Sequence, residues 1–88
     1  MHNRRRTDAE LMNIVAAAVT DVTGARRAPR LRRTTRAGQV PGWDSLMHAR
    51  IVLALEERLG VRIDIARSYE FANVGQFIDY LAELAHAR

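Results

Sequence analysis

Apolar residues recur at helical spacing in three separate segments of the chain. In the first segment the apolar positions follow at intervals of three and four residues: Leu11, Ile14, Val15, Ala18 and Val22. This spacing predicts an amphipathic helix over residues 8–22. Thr7 and Glu10 form a capping-box pattern at its start, and Gly24 is a residue type that commonly follows the end of a helix.

The second helix is predicted to run from Asp44 to Leu59, with Gly60 just beyond its end. Its apolar wall consists of Ile51, Val52, Leu55 and Leu59, flanked by Leu46, Ala49 and Leu53. The remaining side carries Met47, Arg50, Ala54, Glu57 and Arg58. A helix that is apolar around most of its circumference lies at the centre of a bundle. The remaining side is therefore a predicted surface for a partner.

The third helical segment begins after Asn73, which is placed to cap it, with Gln76 at the third position. Its apolar stripe consists of Val74, Phe77, Ile78, Leu81 and Leu84. Residues 61–65 alternate apolar and polar side chains, but no second strand is evident. We expect an extended linker there, with Val61, Ile63 and Ile65 directed inward, followed by a short helical turn over residues 66–70.

Residues 24–43 show no periodicity and form a predicted long first loop. Pro29 and Pro41 interrupt this segment, and six arginines fill much of it. Loops longer than about 12–15 residues are uncommon in compact domains and are usually functional or disordered. Leu31 is the expected anchor of the loop to the core. The predicted fold is all-α: a small bundle of three main helices plus one short helical turn, in a single domain over residues 8–88, preceded by a basic arm over residues 1–7.

The charge of the chain is uneven. All 14 basic residues are arginines; residues 1–43 hold nine of them with three acids, whereas residues 44–88 hold five with seven acids. Such asymmetry is found in proteins that bind nucleic acid or another polyanion, here through residues 4–6 and 26–36. It is equally a property of a solvated tail and loop, because net charge describes solubility and non-specific binding more than fold.

The composition excludes several kinds of chemistry. The absence of cysteine rules out disulfides, thiolate chemistry and cysteine-ligated zinc. His2, His48 and His86 are scattered, so no metal site is predicted. No apolar run is long enough to span a bilayer, and no signal-peptide pattern follows the basic N-terminus. We therefore expect a cytoplasmic protein that does not insert into a membrane. We also expect it to be a monomer.

Ser45 is the candidate for chemistry, because it lies in the first turn of the second predicted helix. The structural interpretation is that the Asp44-Ser45 pair caps that helix and does nothing more. A catalytic nucleophile would need a base and an orienting group, and neither is evident, since His48 lies on a different edge of the helix. A phosphodiester on the hydroxyl would, however, occupy a favourable field, because helix N-termini carry unpaired N–H groups and partial positive charge.

The pattern around Ser45 extends over much of the chain. Gly42-Trp43-Asp44-Ser45-Leu46 opens the helix, Leu55-Glu56-Glu57-Arg58-Leu59-Gly60-Val61 closes it, and Val74-Gly75-Gln76-Phe77 with Tyr80-Leu81 follows. This arrangement resembles the acyl carrier protein family from Pro41 to Leu84. The resemblance implies that Ser45 carries a 4′-phosphopantetheine arm donated by coenzyme A, whose thiol holds acyl or aminoacyl groups as thioesters. The chain itself would then be no enzyme.

The resemblance also implies roles for the neighbours of Ser45. Asp44 is the acid before the serine, expected to face the phosphopantetheinyl transferase and to fix the helix start. Leu46 is expected to pack at the head of the helix. The residues that match the partner-recognition face of the family are Met47, Arg50, Leu53, Ala54 and Glu57. Trp43 either indicates a stand-alone specialist carrier or serves as a hydrophobic lid before the cap.

The chain departs from the family in its charge. Family members are typically acidic on the second helix, whereas this chain has Met47 and Arg50 there, and its first loop is rich in arginine. We therefore expect dedicated partners that meet Arg50, Arg58 and the loop with acidic groups: a loading ligase or transferase, and a downstream synthase or acyltransferase of fatty-acid, polyketide or related biosynthesis. Nucleic acid is not an expected partner. The alternatives are a polyanion-binding helical module and a protein–protein adaptor in which Ser45 only caps.

Overall fold

The computed structural model describes residues 6–86 of the 88-residue chain. Over this range the chain forms four α-helices and one 3₁₀ turn, with no strand. The helices are α1 (Asp8–Thr23), α2 (Ser45–Leu59), α3 (Ile65–Ser68) and α4 (Val74–His86), and the 3₁₀ turn is Ala37–Gln39. The predicted all-α bundle of three main helices and one short helical turn is confirmed. Most of the predicted N-terminal arm, residues 1–5, lies outside the described residues.

The ends of the main helices follow the capping residues in the sequence. The Thr7 hydroxyl accepts a hydrogen bond from the Glu10 amide, and the Glu10 carboxylate accepts one from the Thr7 amide. Gly24 and Gly60 end α1 and α2 with φ of 73° and 65°, a left-handed conformation that residues with a Cβ adopt with strain. Asn73 caps α4 through the Gln76 amide, as predicted. These local signals explain why the predicted helix bounds differ little from the observed ones.

The linker between α2 and α4 is only partly as predicted. Ile63 is buried and Val61 is half-buried. Ile65 was expected to turn inward, but it is 40% exposed, which corrects the prediction. The reason is that the chain leaves the extended conformation one residue earlier than expected, because Asp64 caps α3 through the Arg67 amide and Ile65 becomes its first helical residue.

The core lies where α1 packs against α2 and α4. Its largest fully buried side chains are Leu11, Val15, Val19, Ile51, Val52, Leu55, Ile78 and Leu81. They come from the apolar sides of the three main helices, and each helix shields part of the apolar surface of the others from solvent. Within residues 6–86 no helix is both long and apolar enough to cross a membrane.

The long first loop is fastened to the bundle at several points. Leu31 packs against the core, as predicted. The guanidinium of Arg33 binds the carboxylates of Asp8 in α1 and Asp79 in α4, each at 2.8 Å. The hydrogen bond to Asp79 is the main reason that the pKa of Arg33 is raised above its ordinary value. One arginine therefore joins the loop to α1 and α4.

The loop also completes the first turn of α4 through its backbone. The Val74 amide donates to the Thr35 carbonyl at 2.7 Å, and the Gly75 amide donates to the Arg33 carbonyl at 2.8 Å. A Cβ on Gly75 would stand only 2.9 Å from that carbonyl oxygen, so this close approach requires glycine. The N-terminal N–H groups of α4, which have no partner inside the helix, thus find partners in the loop.

Candidate functional site

Ser45 is the first residue of α2 and is exposed to solvent. Its hydroxyl makes no hydrogen bond with any described residue, whereas its backbone carbonyl accepts one from the Tyr69 hydroxyl. Ser45 and Ser68 are the two serines of the chain, and Ser68 is only 3% exposed. Ser45 is therefore the serine whose hydroxyl an external enzyme can reach.

Asp44 fixes the start of α2. Its carboxylate accepts a hydrogen bond of 2.9 Å from the Met47 amide, and its φ of −109° and ψ of −173° are extended rather than helical. This is the geometry of an N-cap residue, and it fulfils the predicted structural role of Asp44. Because the cap satisfies only one of the first N–H groups, the end of α2 keeps part of its positive field beside Ser45.

Leu46 does not pack at the head of α2. The structure leaves 61% of Leu46 exposed, which corrects the prediction that it contributes to the packing there. The apolar side of α2 that faces the core begins instead at His48 and continues through Ile51, because these positions are turned by 100° per residue away from Leu46. Leu46 is thus an apolar side chain presented to solvent directly after the candidate serine.

A pocket of about 240 Å³ opens beside Ser45. It lies between the end of the long loop, the first turn of α2, and α3 with the residues after it. The lining side chains are Ala37, Trp43, Asp44, Ser45, His48, Ser68, Tyr69 and Phe71. A smaller cavity of about 30 Å³ adjoins it on the side of α4 and shares several of these residues. The candidate serine therefore lies at the rim of a largely aromatic pocket.

A chain of hydrogen bonds forms the floor of this pocket. The indole Nε1 of Trp43 is 3.0 Å from Nδ1 of His48, and Nε2 of His48 is 2.8 Å from Oγ of Ser68. An indole N–H can only donate, so Nδ1 is the acceptor and the ring proton is on Nε2. Nε2 then donates to Ser68, whose hydroxyl donates to the Ile65 carbonyl at 2.6 Å. The hydrogen bonds from Trp43 to Ile65 therefore all run in one direction, and they require the tautomer of His48 with its proton on Nε2.

Tyr69 connects these buried, hydrogen-bonded side chains to the candidate serine. Its hydroxyl donates a 2.9 Å hydrogen bond to the backbone carbonyl of Ser45. Its ring lies 4.3 Å from the imidazole of His48, centroid to centroid. Half of Tyr69 is exposed, so it forms the outer wall of the pocket. The segment after α3 is therefore tied to the turn that carries Ser45.

His48 is not a base for Ser45. Both of its ring nitrogens are engaged, one by Trp43 and one by Ser68. Burial lowers the pKa of the imidazole below its ordinary value of 6.5, so the ring is neutral at physiological pH. Although His48 lines the same pocket as Ser45, the geometry gives the serine no internal activation. The prediction that Ser45 is not a catalytic nucleophile agrees with this arrangement.

The predicted partner face of α2 is largely open to solvent. Arg50 and Glu57 are exposed, Leu53 is 61% exposed, and Met47 and Ala54 are half-buried. A shallow depression of about 590 Å³ runs over this face, lined by Arg50, Leu53, Ala54, Glu56 and Glu57. Leu46, Arg50, Leu53 and Glu57 follow at intervals of four, three and four, so they form one stripe along the helix.

Arg58, in contrast, forms an ion pair within the protein. Its guanidinium binds the carboxylate of Asp21 in α1, so it joins two helices of the same chain. The expectation that Arg58 meets an acidic partner therefore conflicts with the structure. Arg26, Arg27, Arg30, Arg32 and Arg36 of the long loop are exposed. Between residues 6 and 86 no group of His, Asp or Glu side chains is arranged to hold a metal ion.

Sequence reasoning missed the polar chain beneath the site. It placed His48 away from Ser45 and did not consider Ser68 or Tyr69. One signal was present: Trp43 precedes the cap and His48 is the fourth residue of the helix, and side chains at these two positions often pack together. Their rings are 6.0 Å apart and stacked, which supports the interpretation of Trp43 as a lid before the cap.

The chain was compared with known protein families, curated proteins and solved structures. The family model described as the phosphopantetheine attachment site matches residues 42–81. The comparisons with curated proteins and with solved structures gave no significant match. The matched residues begin just before Trp43, include Ser45 and the whole of α2 and α3, and end within α4. Such domains bear a covalently attached 4′-phosphopantetheine group and act as carriers, not catalysts. Residues 42–81 therefore match the phosphopantetheine-binding domain of acyl carrier proteins.

Proposed function

We propose that Ser45 carries the 4′-phosphopantetheine arm, and that the chain delivers acyl or aminoacyl groups as thioesters to partner enzymes. The observation that carries this assignment is accessibility. Of the two serines, both within the matched residues 42–81, Ser45 presents an unbonded hydroxyl to solvent whereas Ser68 is buried and bonded. An attachment through a serine hydroxyl thus favours Ser45.

The surroundings of Ser45 fit such an arm. The start of α2 offers partial positive charge to a phosphodiester, and the pocket beside the serine leaves space on one side. The thiol at the end of the arm supplies thioester chemistry, which a chain without cysteine cannot supply from its own side chains. Asp44 holds the turn and Leu46 projects outward next to it, so both are available to the transferase.

The attachment reaction leaves the activation of Ser45 to the transferase. In that reaction Ser45 Oγ forms a bond to phosphorus, and the bond between this phosphorus and the 3′,5′-ADP half of coenzyme A breaks. A base of the transferase takes the hydroxyl proton, because the ring nitrogens of His48 are occupied by Trp43 and Ser68.

The proposed partners dock on the outward face of α2: Met47, Arg50, Leu53, Ala54 and Glu57. Two exposed leucines, Leu46 and Leu53, stand on either side of the exposed guanidinium of Arg50. We expect the loading ligase or transferase, and the downstream synthase or acyltransferase, to offer apolar contact with a carboxylate between. The proposal includes a role in fatty-acid, polyketide or related specialised biosynthesis. It also includes a monomeric state and a cytoplasmic location.

The test is the intact mass after incubation with coenzyme A and a broad-specificity phosphopantetheinyl transferase. We expect a gain of one phosphopantetheine, lost in Ser45→Ala and retained in a folded Ser68→Ala control. Cleavage after arginine separates the two serines into peptides 37–50 and 68–88, so the modified peptide identifies the site directly. A gain that survives in Ser45→Ala, or that maps to peptide 68–88, would contradict the assignment.

A second candidate, polyanion binding, is favoured by the five exposed arginines of the long loop. A steep fall in the affinity for duplex DNA with rising salt would support it. We consider it the weaker candidate because Arg33, the remaining arginine of the loop, binds Asp8 and Asp79 and contributes to the fold rather than to a free basic surface.

A further inference from the structure

The hydrogen-bonded chain beneath Ser45 serves no step of the attachment reaction, yet it is complete and buried. It joins three parts of the fold: Trp43 ends the long loop, His48 belongs to the first turns of α2, and Ser68 ends α3. The described residues contain no buried side-chain polar atom without a partner. The arrangement is therefore satisfied in one protonation state of His48, the neutral form with its proton on Nε2.

Protonation of His48 is incompatible with this arrangement. A second ring proton would be on Nδ1 and would point at the indole N–H of Trp43, so two donors would face each other. The imidazolium also has to be accommodated in a buried site among aromatic rings: Trp43, Tyr69 and Phe77. The ring must consequently move relative to Trp43 when it takes up a proton.

Movement of His48 reaches Ser45 through Tyr69. The Tyr69 ring lies against the imidazole at 4.3 Å, and its hydroxyl holds the Ser45 carbonyl. The Asp44 carboxylate on the Met47 amide is a second side-chain hydrogen bond to the backbone of this turn. We therefore expect displacement of the imidazole to disturb the contact of Tyr69 with the Ser45 carbonyl.

We propose that neutral His48 is a positioning residue for the modification of Ser45: it holds Tyr69 on the Ser45 carbonyl, and its protonation releases that contact and slows phosphopantetheine transfer. This inference rests on the proposed attachment at Ser45. His48 acts through Tyr69 and touches neither the serine hydroxyl nor the donor of the arm.

The other titratable groups around His48 are few. Of the side chains that line the two adjoining cavities with it, Asp44 from the start of α2 and Tyr69 from the end of α3 are titratable. The loop and α4 contribute uncharged side chains there: Ala37, Trp43, Asn73, Val74 and Phe77. A variant that removes titration at residue 48 alone therefore isolates the effect.

Two substitutions separate the two hydrogen bonds of the ring. His48→Asn places an amide oxygen near the position of Nδ1 and so retains an acceptor for Trp43, without titrating. His48→Gln places an amide N–H near the position of Nε2 and retains the donor to Ser68.

Tyr69→Phe removes only the hydroxyl on the Ser45 carbonyl, so it should reproduce the released state at every pH.

The experiment follows two signals between pH 5 and 8. The first is the environment of Trp43, the only tryptophan of the chain, from its fluorescence and its indole N–H resonance in the unmodified protein. The second is kcat/KM for phosphopantetheine transfer, expressed as the ratio of wild type to His48→Asn, which cancels the pH dependence of the transferase. We expect both to change together below pH 6.5, with the ratio falling about fivefold, the factor that corresponds to one net hydrogen bond.

Each outcome decides the proposal. A Trp43 signal that titrates while the ratio stays flat would show that His48 has a purely structural role, and a Trp43 signal that does not titrate would show that the ring keeps one state; either overturns it. A Tyr69→Phe variant that transfers as fast as wild type at pH 7.5 also overturns it. Failure of the proposed attachment is distinguished by a wild-type protein that gains no mass at pH 8, in which case the positioning role falls with it.

Discussion

The indole of Trp43 donates a hydrogen bond to the unprotonated ring nitrogen of His48, and this pair lines the pocket beside Ser45. The pair joins the last residue before the cap to the fourth residue of α2. It makes the tautomer of His48 a consequence of the fold, because the indole accepts no hydrogen bond in return.

The stability of the fold should depend on pH through His48. Its pKa is lowered by burial in the folded state, so the unfolded chain binds more protons between that lowered pKa and about 6.5. The free energy of unfolding is therefore fully retained above pH 6.5 and decreases as the pH falls towards the folded pKa, by at most about 1.4 kcal/mol per pH unit for one proton. Urea unfolding of wild type and His48→Asn at several pH values measures the difference, and parallel pH curves for the two proteins would contradict the expectation.

Arg33 should contribute more to stability than the other loop arginines. Arg33→Gln removes the link from the loop to Asp8 and Asp79, so we expect a lower midpoint of unfolding than for wild type, with the difference shrinking at high salt. Arg30→Gln is the matched control, because Arg30 makes no ion pair with another described residue and has the same charge. Circular dichroism during urea titration measures both. Equal midpoints for the two variants would show that the ion pairs contribute nothing measurable.

A methyl group on Gly75 should destabilise the protein. The added Cβ would approach the Arg33 carbonyl oxygen to 2.9 Å and the Arg33 Cα to 3.3 Å, so either the loop or α4 must shift. We expect Gly75→Ala to lower the free energy of unfolding by about 1–3 kcal/mol, the usual range for overpacking. Gly38→Ala meets nothing within 4 Å and should be neutral or stabilising by up to about 1 kcal/mol. A Gly75→Ala protein as stable as Gly38→Ala would mean that the loop yields freely.

Charge reversal at Arg50 should weaken recognition by the cognate partner. Arg50→Glu places a carboxylate between Leu46 and Leu53, where the partner is expected to offer one of its own, so the rate of transfer should fall severalfold and the loss should diminish at high salt. Arg62→Glu makes the same charge change in the exposed linker and serves as the control. Kinetics of loading or acyl transfer by the cognate enzyme decide the matter. A rate that Arg50→Glu leaves unchanged would remove Arg50 from the recognition face.

The parts of the fold that depend on local signals were predictable from the sequence. Thr7, Asp44 and Asn73 cap their helices by contacts within four residues, and the glycines after α1 and α2 end them by conformation alone. The position of the candidate serine in the first turn of α2 was predicted in the same way. Its interpretation as an attachment site depended on the wider pattern from Pro41 to Leu84.

The errors concern both contacts between segments that are distant in sequence and local features that the apolar pattern did not resolve. Leu46 is apolar but 61% exposed, because it lies on a different side of α2 from His48 and Ile51, which face the core. His48 is polar, yet it is buried because Trp43 and Ser68 satisfy both nitrogens. Ile65 is exposed because the cap at Asp64 starts a helix one residue earlier than the alternating pattern indicated.

The docking of the long loop onto the first turn of α4 has a consequence for how the chain folds. The amides of Val74 and Gly75 depend on carbonyls of Thr35 and Arg33, which precede them by roughly forty residues, and contacts of such separation form late and slowly. The last helix therefore lacks part of its beginning until the loop has been brought into place. A chain emerging from the ribosome has to release residues 33–75 before this turn can close, so we expect the pocket wall that the loop provides beside Ser45 to form late.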